Sequence, residues 1–371
     1  MKLEGIRVVD LSVFLPGPYL SLSLADHGAD VIKVEQPGEG DPGRHIGLSD
    51  GPHTVFFRNL NRGKKSIVLD LKTHEGKAAL LALADSADVF IESFRPGVAR
   101  RLGVDPETLR LRNPGIVYCS ISAFGQDGPY RDRPAHDLAV EAMSGVLGMG
   151  VGADGSPAIP GVPVADLLAG LHGLAGVLMA LLRRQATGKG DYIDISMLDC
   201  MAGALRNVLG PTMAEGRQPD PKLERTTGGS AFYRIYETRD GGRIALAGQE
   251  PKFIHALLAA LGRPELATLC LQGPGAHQKP VMDFLEHSFL QASRAEWERR
   301  LAPLDVCWGP VNTLPQALQD PQLLARGMVV RDAAGRPHIA SPIRFLDEPS
   351  RPDLASPGLN QHQPLLKDLK P

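Results

Sequence analysis

The first 35 residues constrain the fold of this chain more than any other stretch. Residues 5–11 form a short β-branched run, and Pro16-Gly17-Pro18 then leads into an apolar segment at residues 19–25. A second strand-like run follows at residues 28–35. A strand, a helix and a strand in so short a span form a βαβ unit, which places both strands parallel in one sheet. The same alternation returns before residue 122, so the sequence predicts an α/β fold with a parallel sheet.

The length of 371 residues exceeds what one ordinary hydrophobic core holds, and it predicts two domains. We place a large domain at residues 1–209 and a polar linker, rich in Pro and Gly, at residues 210–229. A smaller α+β domain is expected at residues 230–327, and it begins with a predicted β-hairpin. The C-terminal segment, residues 328–371, is expected to return and pack on the large domain.

Net charge, cysteine spacing and the length of the apolar stretches argue against several classes of ligand and partner. The formal net charge is -2, so no global field attracts nucleic acid or a membrane surface, and an anionic ligand needs a local basic cluster. The four cysteines lack CxxC spacing, which argues against a zinc site and fits a reducing, cytoplasmic location. We expect no signal peptide, and no uncharged apolar stretch reaches the roughly 18 residues of a membrane-spanning helix.

A set of basic residues lies in loops near the predicted strand ends. In open α/β sheets, ligands bind beyond the carboxyl ends of the strands, so these side chains are candidates for an anion site that takes phosphates. The alternative is that they are ordinary solvated surface charges, and composition does not decide between the two. The residues are Arg44, Arg62, Lys64, Lys65, Arg95, Arg100 and Arg101.

Common nucleotide and nucleophile motifs do not fit the chain. The turn after the first strand lacks G-x-G-x-x-G, and no G-x-S-x-G is present. Gly63-Lys64-Lys65-Ser66 is not a P-loop, because Arg58 stands where the first glycine belongs and a strand follows where a helix should.

Three ionisable residues at the ends of predicted elements are candidates for catalysis. Asp166 precedes a long apolar helix, so it is either a helix N-cap or a general base or nucleophile. His136 lies beside Asp137 before another helix, and it is either a turn residue or a general acid or base. Glu250 follows a predicted strand and precedes Pro251, as a first-turn helix residue would.

Several ordered motifs together resemble the CaiB/BaiF family, the family III CoA-transferases and their relatives. They include Gly28-Ala29-Asp30-Val31-Ile32-Lys33-Val34-Glu35, Asn61-Arg62-Gly63-Lys64-Lys65-Ser66, Phe94-Arg95-Pro96-Gly97-Val98, Phe124-Gly125-Gln126-Asp127-Gly128-Pro129 and Thr187-Gly188-Lys189-Gly190. The resemblance implies a Rossmann-like large domain made of both chain ends, a small domain and an interlocked homodimer. It also implies an acyl-CoA substrate, with coenzyme A as part of the substrate and no prosthetic group or metal.

The resemblance further implies which residues bind the ligand. Residues that match the family motifs are expected to contact CoA, and they are Arg44, Arg62, Lys64, Lys65, Arg95, Gly97, Arg101, Gly125 and Gln126.

Two chemistries occur in the family. Its transferases use an aspartate, here Asp166, as a nucleophile that forms an acyl anhydride and then an aspartyl-CoA thioester. Its α-methylacyl-CoA racemases use the aspartate in proton transfer and pair it with a histidine in Gly-His-Asp. Ala135-His136-Asp137 is similar to that sequence, and Gln249-Glu250-Pro251 supplies the matching glutamate. The pattern therefore favours a racemase of 2-methylacyl-CoA, with CoA transfer between carboxylic acids as the alternative.

The chemistry of racemisation is consistent with this choice. Inverting an α-carbon requires groups on opposite faces, and His136 and Asp166 would supply them. Glu250 would orient His136, as the carboxylate does in a catalytic triad. The helix that begins near Asp166 would offer peptide N–H groups to the enolate oxygen.

Overall fold

The computed structural model describes residues 1–152 and 154–368, and the chain divides into two compact units. The first unit contains Met1–Ser144, Pro160–Ala204 and the described part of Pro321–Pro371, and the second contains Gly145–Ile159 and Leu205–Asp320. The segment Gly145–Ile159 thus groups with the second unit, although its position in the sequence placed it inside the predicted large domain.

Strands and helices occur along the whole described part of the chain. The strands are β1 (Arg7–Asp10), β2 (Asp30–Glu35), β3 (Lys65–Val68), β4 (Val89–Glu92), β5 (Val117–Ser122), β6 (Tyr192–Ser196), β7 (Tyr233–Glu237), β8 (Arg243–Ala247), β9 (Trp308–Pro310), β10 (Val329–Arg331) and β11 (Pro337–Ile339). The helices are α1 (Pro16–Asp26), α2 (Val55–Asn61), α3 (His74–Asp85), α4 (Val98–Leu102), α5 (Pro106–Arg112), α6 (Asp137–Ser144), α7 (Val146–Met149), α8 (Val164–Thr187), α9 (Met197–Ala204), α10 (Gly210–Glu215), α11 (Pro251–Ala260), α12 (Ala267–Cys270), α13 (Lys279–Phe289), α14 (Arg294–Leu301), α15 (Leu314–Ala317) and α16 (Pro321–Ala325). Short 3-10 turns lie at Pro42–His45, Leu205–Asn207, Pro264–Leu266, Ala276–Gln278 and Gln363–Asp368.

A six-stranded sheet forms the centre of the first unit. Its strand order is β3-β2-β1-β4-β5-β6, and every neighbouring pair is parallel. The order reverses between β1 and β4, which is the switch point of a Rossmann-like sheet. The predicted α/β fold with a parallel sheet and a smaller α+β unit is therefore confirmed.

The strands β1, β2, β4 and β5 are buried along most of their length, as the crossover helices on both faces of a parallel sheet require. Val8, Val9, Phe90 and Ile91 have no exposed surface, and β5 is buried along most of its length. This explains why the strands read as continuous apolar runs rather than as alternating ones.

The helix α8 packs against α1, β5 and β6. Close packing on α1 depends on Gly170, because a Cβ atom there would lie 2.7 Å from the carbonyl oxygen of Pro16. By length and composition α8 is apolar enough to cross a membrane, and 44% of its most apolar stretch is buried in the fold.

The C-terminal segment returns to the first unit and covers the edge strand β3. Gly63 N–H donates to Ala355 O at 2.8 Å, and His362 N–H donates to Ser66 O at 2.8 Å. Val68 N–H donates to Asn360 Oδ1 at 2.9 Å. These bonds occupy backbone groups that an uncovered edge strand would expose to other chains.

The second unit contains an antiparallel sheet of β7, β8 and β9, with helices packed on one core. The predicted hairpin is present as β7 and β8, whereas β9 was not expected from the sequence. Its three residues contain Gly and Pro, which are depleted in strands. In the first unit, α2 begins after Thr54, which caps it by accepting from Phe57 N–H.

Buried ion pairs connect the strand ends to the surrounding loops. Arg62 and Asp26 are 2% and 3% exposed, and Arg62 Nε and Nη2 donate to the two oxygens of Asp26 at 3.0 and 2.7 Å. Lys33 lies 2.7 Å from Asp41, also out of solvent. Removing one partner of such a pair leaves the other charge buried and uncompensated.

We therefore expect Arg62→Met to lower the free energy of unfolding by ~3–5 kcal/mol, because Asp26 would keep a buried charge without a partner. The matched control is Arg112→Met, whose partner Asp85 and own side chain are 40% and 43% exposed. That exposed pair contributes ~0–1 kcal/mol. Urea unfolding of both variants measures the difference, and equal losses would contradict the role given to the buried pair.

Candidate active site

A cavity of about 430 Å³ in the first unit brings together two of the residues singled out by the sequence. Asp166 and His136 both line this cavity, which we call the Asp166 cavity. Its wall also includes Phe14 and the arginines Arg95, Arg131 and Arg133. Its position agrees with the general rule for open α/β sheets, since residues that follow β1, β4 and β5 contribute to it.

Asp166 is the third residue of α8, not its N-cap. The N-cap position belongs to Pro163, which has no side-chain acceptor. The N-cap interpretation of Asp166 is therefore wrong, because the helix begins two residues before it. In the first turn its carboxylate still benefits from the positive end of the helix dipole.

The N-terminus of α8 is capped by two carboxylates from α6. Asp137 Oδ1 accepts from the peptide N–H groups of Ala165 and Asp166, at 2.8 and 3.1 Å. Glu141 Oε1 accepts from Val164 N–H at 3.1 Å. Leu167 N–H already bonds inside the helix to Pro163 O, so the two side chains take every N–H that α8 leaves free at this end.

This capping changes the expected role of the helix start. From the sequence, these N–H groups were expected to donate to a developing enolate oxygen. In the structure they donate to Asp137 and Glu141 instead. An oxyanion could use them only by displacing a carboxylate, so that part of the prediction is corrected.

The three carboxyl groups at this helix end influence one another. Burial, and then the negative charges of Asp137 and Glu141, raise the pKa of Asp166 from 3.8 to about 7. Burial also raises the pKa of Glu141, whereas the hydrogen bond from Val164 N–H lowers it. The negative charge of Asp137 raises this pKa further. Near neutral pH, the Asp166 carboxyl group is consequently protonated in some molecules and ionised in others.

His136 is exposed at the wall of the Asp166 cavity and packs edge-on against Phe14, with ring centroids 5.9 Å apart. Phe14 has a φ of 63°, which is uncommon for a residue with a side chain. Such backbone conformations collect at functional sites, where the surrounding structure holds them in place.

Glu250 belongs to the second unit. It is exposed and occupies the N-cap position of α11 without a side-chain cap bond. The predicted support of His136 by Glu250 remains a prediction.

The predicted CoA-binding residues fall into two groups. Arg44, Arg62 and Lys64 lie in internal ion pairs with Glu35, Asp26 and Asp10, so their charges are compensated inside the chain. Arg44 also lies over the ring of Phe57, and Lys65 pairs with Asp30 near the surface. Burial with a partner is not the position expected of a phosphate ligand for Arg62 and Lys64. By contrast, Arg95 and Arg101 have no carboxylate partner within residues 1–152 and 154–368.

The remaining predicted residues lie near a second cavity of about 490 Å³. Gly97 and Gln126 line it, and both Gly97 and Gly125 have positive φ values, of 82° and 81°. Gln126 N–H donates to Asp194 at 2.9 Å, while the buried Gln126 Nε2 has no hydrogen-bond partner. Arg131 lines both this cavity and the Asp166 cavity.

No sequence motif singled out Glu141, which caps α8, or Arg131 and Arg133, which line the Asp166 cavity. Asp137 and Glu141 are four residues apart on α6 and therefore lie on one helix face, a spacing that could have indicated a shared function. Among the residues that the structure describes, no cluster of His, Cys, Asp and Glu fits a metal ion.

A test of the capping compares Glu141→Leu with Glu141→Gln. Glutamine keeps an oxygen for Val164 N–H, whereas leucine leaves that N–H unpaired, so only leucine should loosen the first turn of α8. Loss of a cap costs ~1 kcal/mol, or roughly fivefold faster amide exchange. Hydrogen exchange followed by mass spectrometry of this turn gives the result, and equal exchange in both variants would rule out the capping role.

The raised pKa of Asp166 predicts a pH-dependent gain in stability for Asp166→Asn. Below about pH 4 the group is protonated in both folded and unfolded chains, so the substitution should change little. Between about pH 4 and 7 the unfolded chain ionises first, which costs the native protein stability that Asn retains. The melting temperature of Asp166→Asn should therefore exceed that of the native protein at pH 8, with a gap that closes towards pH 4. A gap that does not depend on pH would contradict the assignment.

Comparison with known proteins gives a consistent result. The model of the CoA-transferase family III matches residues 3–363. The chain is 35% identical over 376 residues to the succinate–glutarate CoA-transferase of Agrobacterium fabrum, covering 97% of this chain and 94% of that protein. It is 36% identical over 334 residues to the acetyl-CoA:oxalate CoA-transferase of Acetobacter aceti, covering 88% and 85%.

A solved structure agrees along the whole chain. A CaiB/BaiF family protein from Brucella suis superimposes with a TM-score of 0.86 at 35% identity, covering 99% of each chain. The resemblance inferred from the ordered motifs is thereby confirmed. The chain belongs to the CoA-transferase family III and is an enzyme of that kind.

Proposed function

We propose that this enzyme transfers CoA between carboxylic acids, with Asp166 as the nucleophile. The observation that carries the proposal is the state of the Asp166 carboxylate. It lines a cavity, its pKa is near 7, and the helix N–H groups around it are already bonded to Asp137 and Glu141. A carboxylate with a raised pKa is a stronger nucleophile than an ordinary one, and it is still ionised in a large fraction of molecules at neutral pH.

The proposed transfer needs no reactant other than the donor acyl-CoA and the acceptor carboxylate. An Asp166 oxygen attacks the thioester carbonyl, the CoA thiolate leaves, and an acyl–aspartyl anhydride forms. The thiolate then attacks the aspartyl carbonyl, which releases the donor acid as a carboxylate and leaves CoA on Asp166 as a thioester. The acceptor carboxylate repeats the two steps in reverse order and leaves as the new acyl-CoA, so Asp166 is regenerated.

One consideration favours transfer over the racemisation that the His136 motif suggested. The relatives reported above are named as CoA-transferases, and the racemase interpretation has no support among them. The occupied helix start bears equally on both reactions, because attack on a thioester carbonyl forms an oxyanion just as removal of an α-proton does. His136 nevertheless lines the same cavity as Asp166, so racemisation is the second candidate.

The names of the relatives suggest the substrate class. They name succinate, glutarate and oxalate, which are dicarboxylic acids, and one of them also names acetyl-CoA, whose acyl group comes from a monocarboxylic acid. For the CoA moiety we propose contacts from Arg101 and Gln126, which do not line the Asp166 cavity and whose side chains lack internal carboxylate partners. We also propose the homodimer implied by the family, which light scattering of the purified protein would test.

The test is to trap the CoA-loaded enzyme. Incubation with succinyl-CoA or glutaryl-CoA followed by hydroxylamine should convert Asp166 into an aspartyl hydroxamate that peptide mass spectrometry locates. The reason is that hydroxylamine attacks a thioester or anhydride far faster than it attacks a free carboxylate. Asp166→Asn should give no hydroxamate.

A second variant separates the two chemistries. His136→Ala should keep CoA transfer within roughly tenfold of the native rate, because the nucleophile is unchanged. If Asp166 gives no hydroxamate while a 2-methylacyl-CoA exchanges its α-hydrogen in D2O and His136→Ala abolishes that exchange, the enzyme is a racemase and the proposed transfer is wrong.

A further inference from the structure

We propose that Arg133 binds the second carboxylate of a dicarboxylic acyl group and so makes the Asp166 cavity selective for dicarboxylic acids. The inference rests on the proposed function for the identity of the reacting thioester. It is supported by three properties of Arg133, namely its unpaired charge, its aromatic neighbours and its position at the cavity wall.

The arginine is left without a compensating charge. Many basic residues of the first unit end in ion pairs, as Arg44, Arg58 and Arg62 do. Arg133 has no carboxylate partner within the described ranges 1–152 and 154–368, and Arg131 nearby has only the exposed Asp132 at 3.7 Å. A cavity that keeps guanidinium groups unpaired beside a reactive carboxylate is built for an anion.

An aromatic ring lies near the guanidinium, although Arg133 itself is exposed. Arg133 lies over the ring of Tyr130, 5.7 Å from its centroid, and Tyr130 packs against Phe124 with 5.6 Å between centroids. The backbone N–H of Arg133 donates to Tyr130 O at 2.8 Å, which closes a tight turn and fixes the start of the side chain. A cation beside an aromatic face loses less entropy when it binds a ligand than one without such a contact does.

The position of Arg133 decides which anion it meets. It lines the same cavity as Asp166 and His136. The carbon that Asp166 attacks is the thioester carbonyl, and the phosphates of CoA lie at the other end of the pantetheine arm. A cation that shares a cavity of about 430 Å³ with the nucleophile is therefore placed to meet the acyl chain rather than those phosphates. Guanidinium binds a carboxylate through two parallel hydrogen bonds, which suits the free end of a dicarboxylic acyl group.

The experiment measures binding without turnover. In an Asp166→Asn background, isothermal titration compares succinyl-CoA with butanoyl-CoA, and glutaryl-CoA with pentanoyl-CoA, so that each pair has the same number of acyl carbons. We expect the dicarboxylic member of at least one pair to bind about 10- to 100-fold tighter, as a charge-assisted hydrogen bond would give. Adding Arg133→Gln should abolish that difference by weakening only the dicarboxylic thioester.

The matched control is Arg183→Gln in the same background. Arg183 is exposed near the end of α8 and is not among the residues that line the Asp166 cavity, so the preference should survive. Equal binding of both members of each pair, or a preference that survives Arg133→Gln, would overturn the proposal. Equal weakening of all four thioesters would overturn it too, because Arg133 would then contact the CoA part. Failure of the proposed CoA transfer is recognised separately, as absence of the Asp166 hydroxamate in the native enzyme.

Discussion

The bonds between α6 and the start of α8 determine what the active site can do. A helix N-terminus leaves N–H groups that must find acceptors, and here Asp137 and Glu141 provide them from a neighbouring helix. The arrangement has an electrostatic consequence, because burial raises the pKa of Asp166 and the two carboxyl groups beside it raise it further, to about 7. The same two side chains therefore cap α8 and contribute to the raised pKa of the residue in its first turn.

Charge pairing accounts for the positions of several arginine and lysine side chains in the first unit. Buried cations near the strand ends are matched by carboxylates, as Arg62 is by Asp26 and Lys33 by Asp41. Two arginines without a carboxylate partner among the described residues, Arg95 and Arg133, line the cavity that contains Asp166, whereas Arg183 lies exposed near the end of α8. In the proposed function, the two arginines at the cavity wall meet the anionic substrate.

The sequence predicted the sheet well and the site only in part. The βαβ pattern predicted parallel strands, because a helical crossover joins parallel strands, and the observed order is compatible with short right-handed connections. Asp166 and His136 were found through motifs, but their relation to Asp137 and Glu141 depends on how two helices meet in space. The N-cap interpretation of Asp166 failed for the same reason, since local propensity does not reveal a cap supplied by another helix. Burial of Arg62 and Lys64 was hidden because a loop lysine or arginine has the same sequence signature whether it is solvated or paired.

The return of the C-terminal segment to β3 has a consequence for the order in which the protein is made. The strand β3 emerges early during synthesis, whereas the residues that cover its edge, 355–362, follow much later. The continuous stretch Leu205–Asp320 of the second unit is complete before those residues exist. The edge of β3 therefore stays uncovered while the second unit is made, which leaves the growing chain open to association through that edge. Covering the edge closes a long loop, and such long-range contacts slow folding.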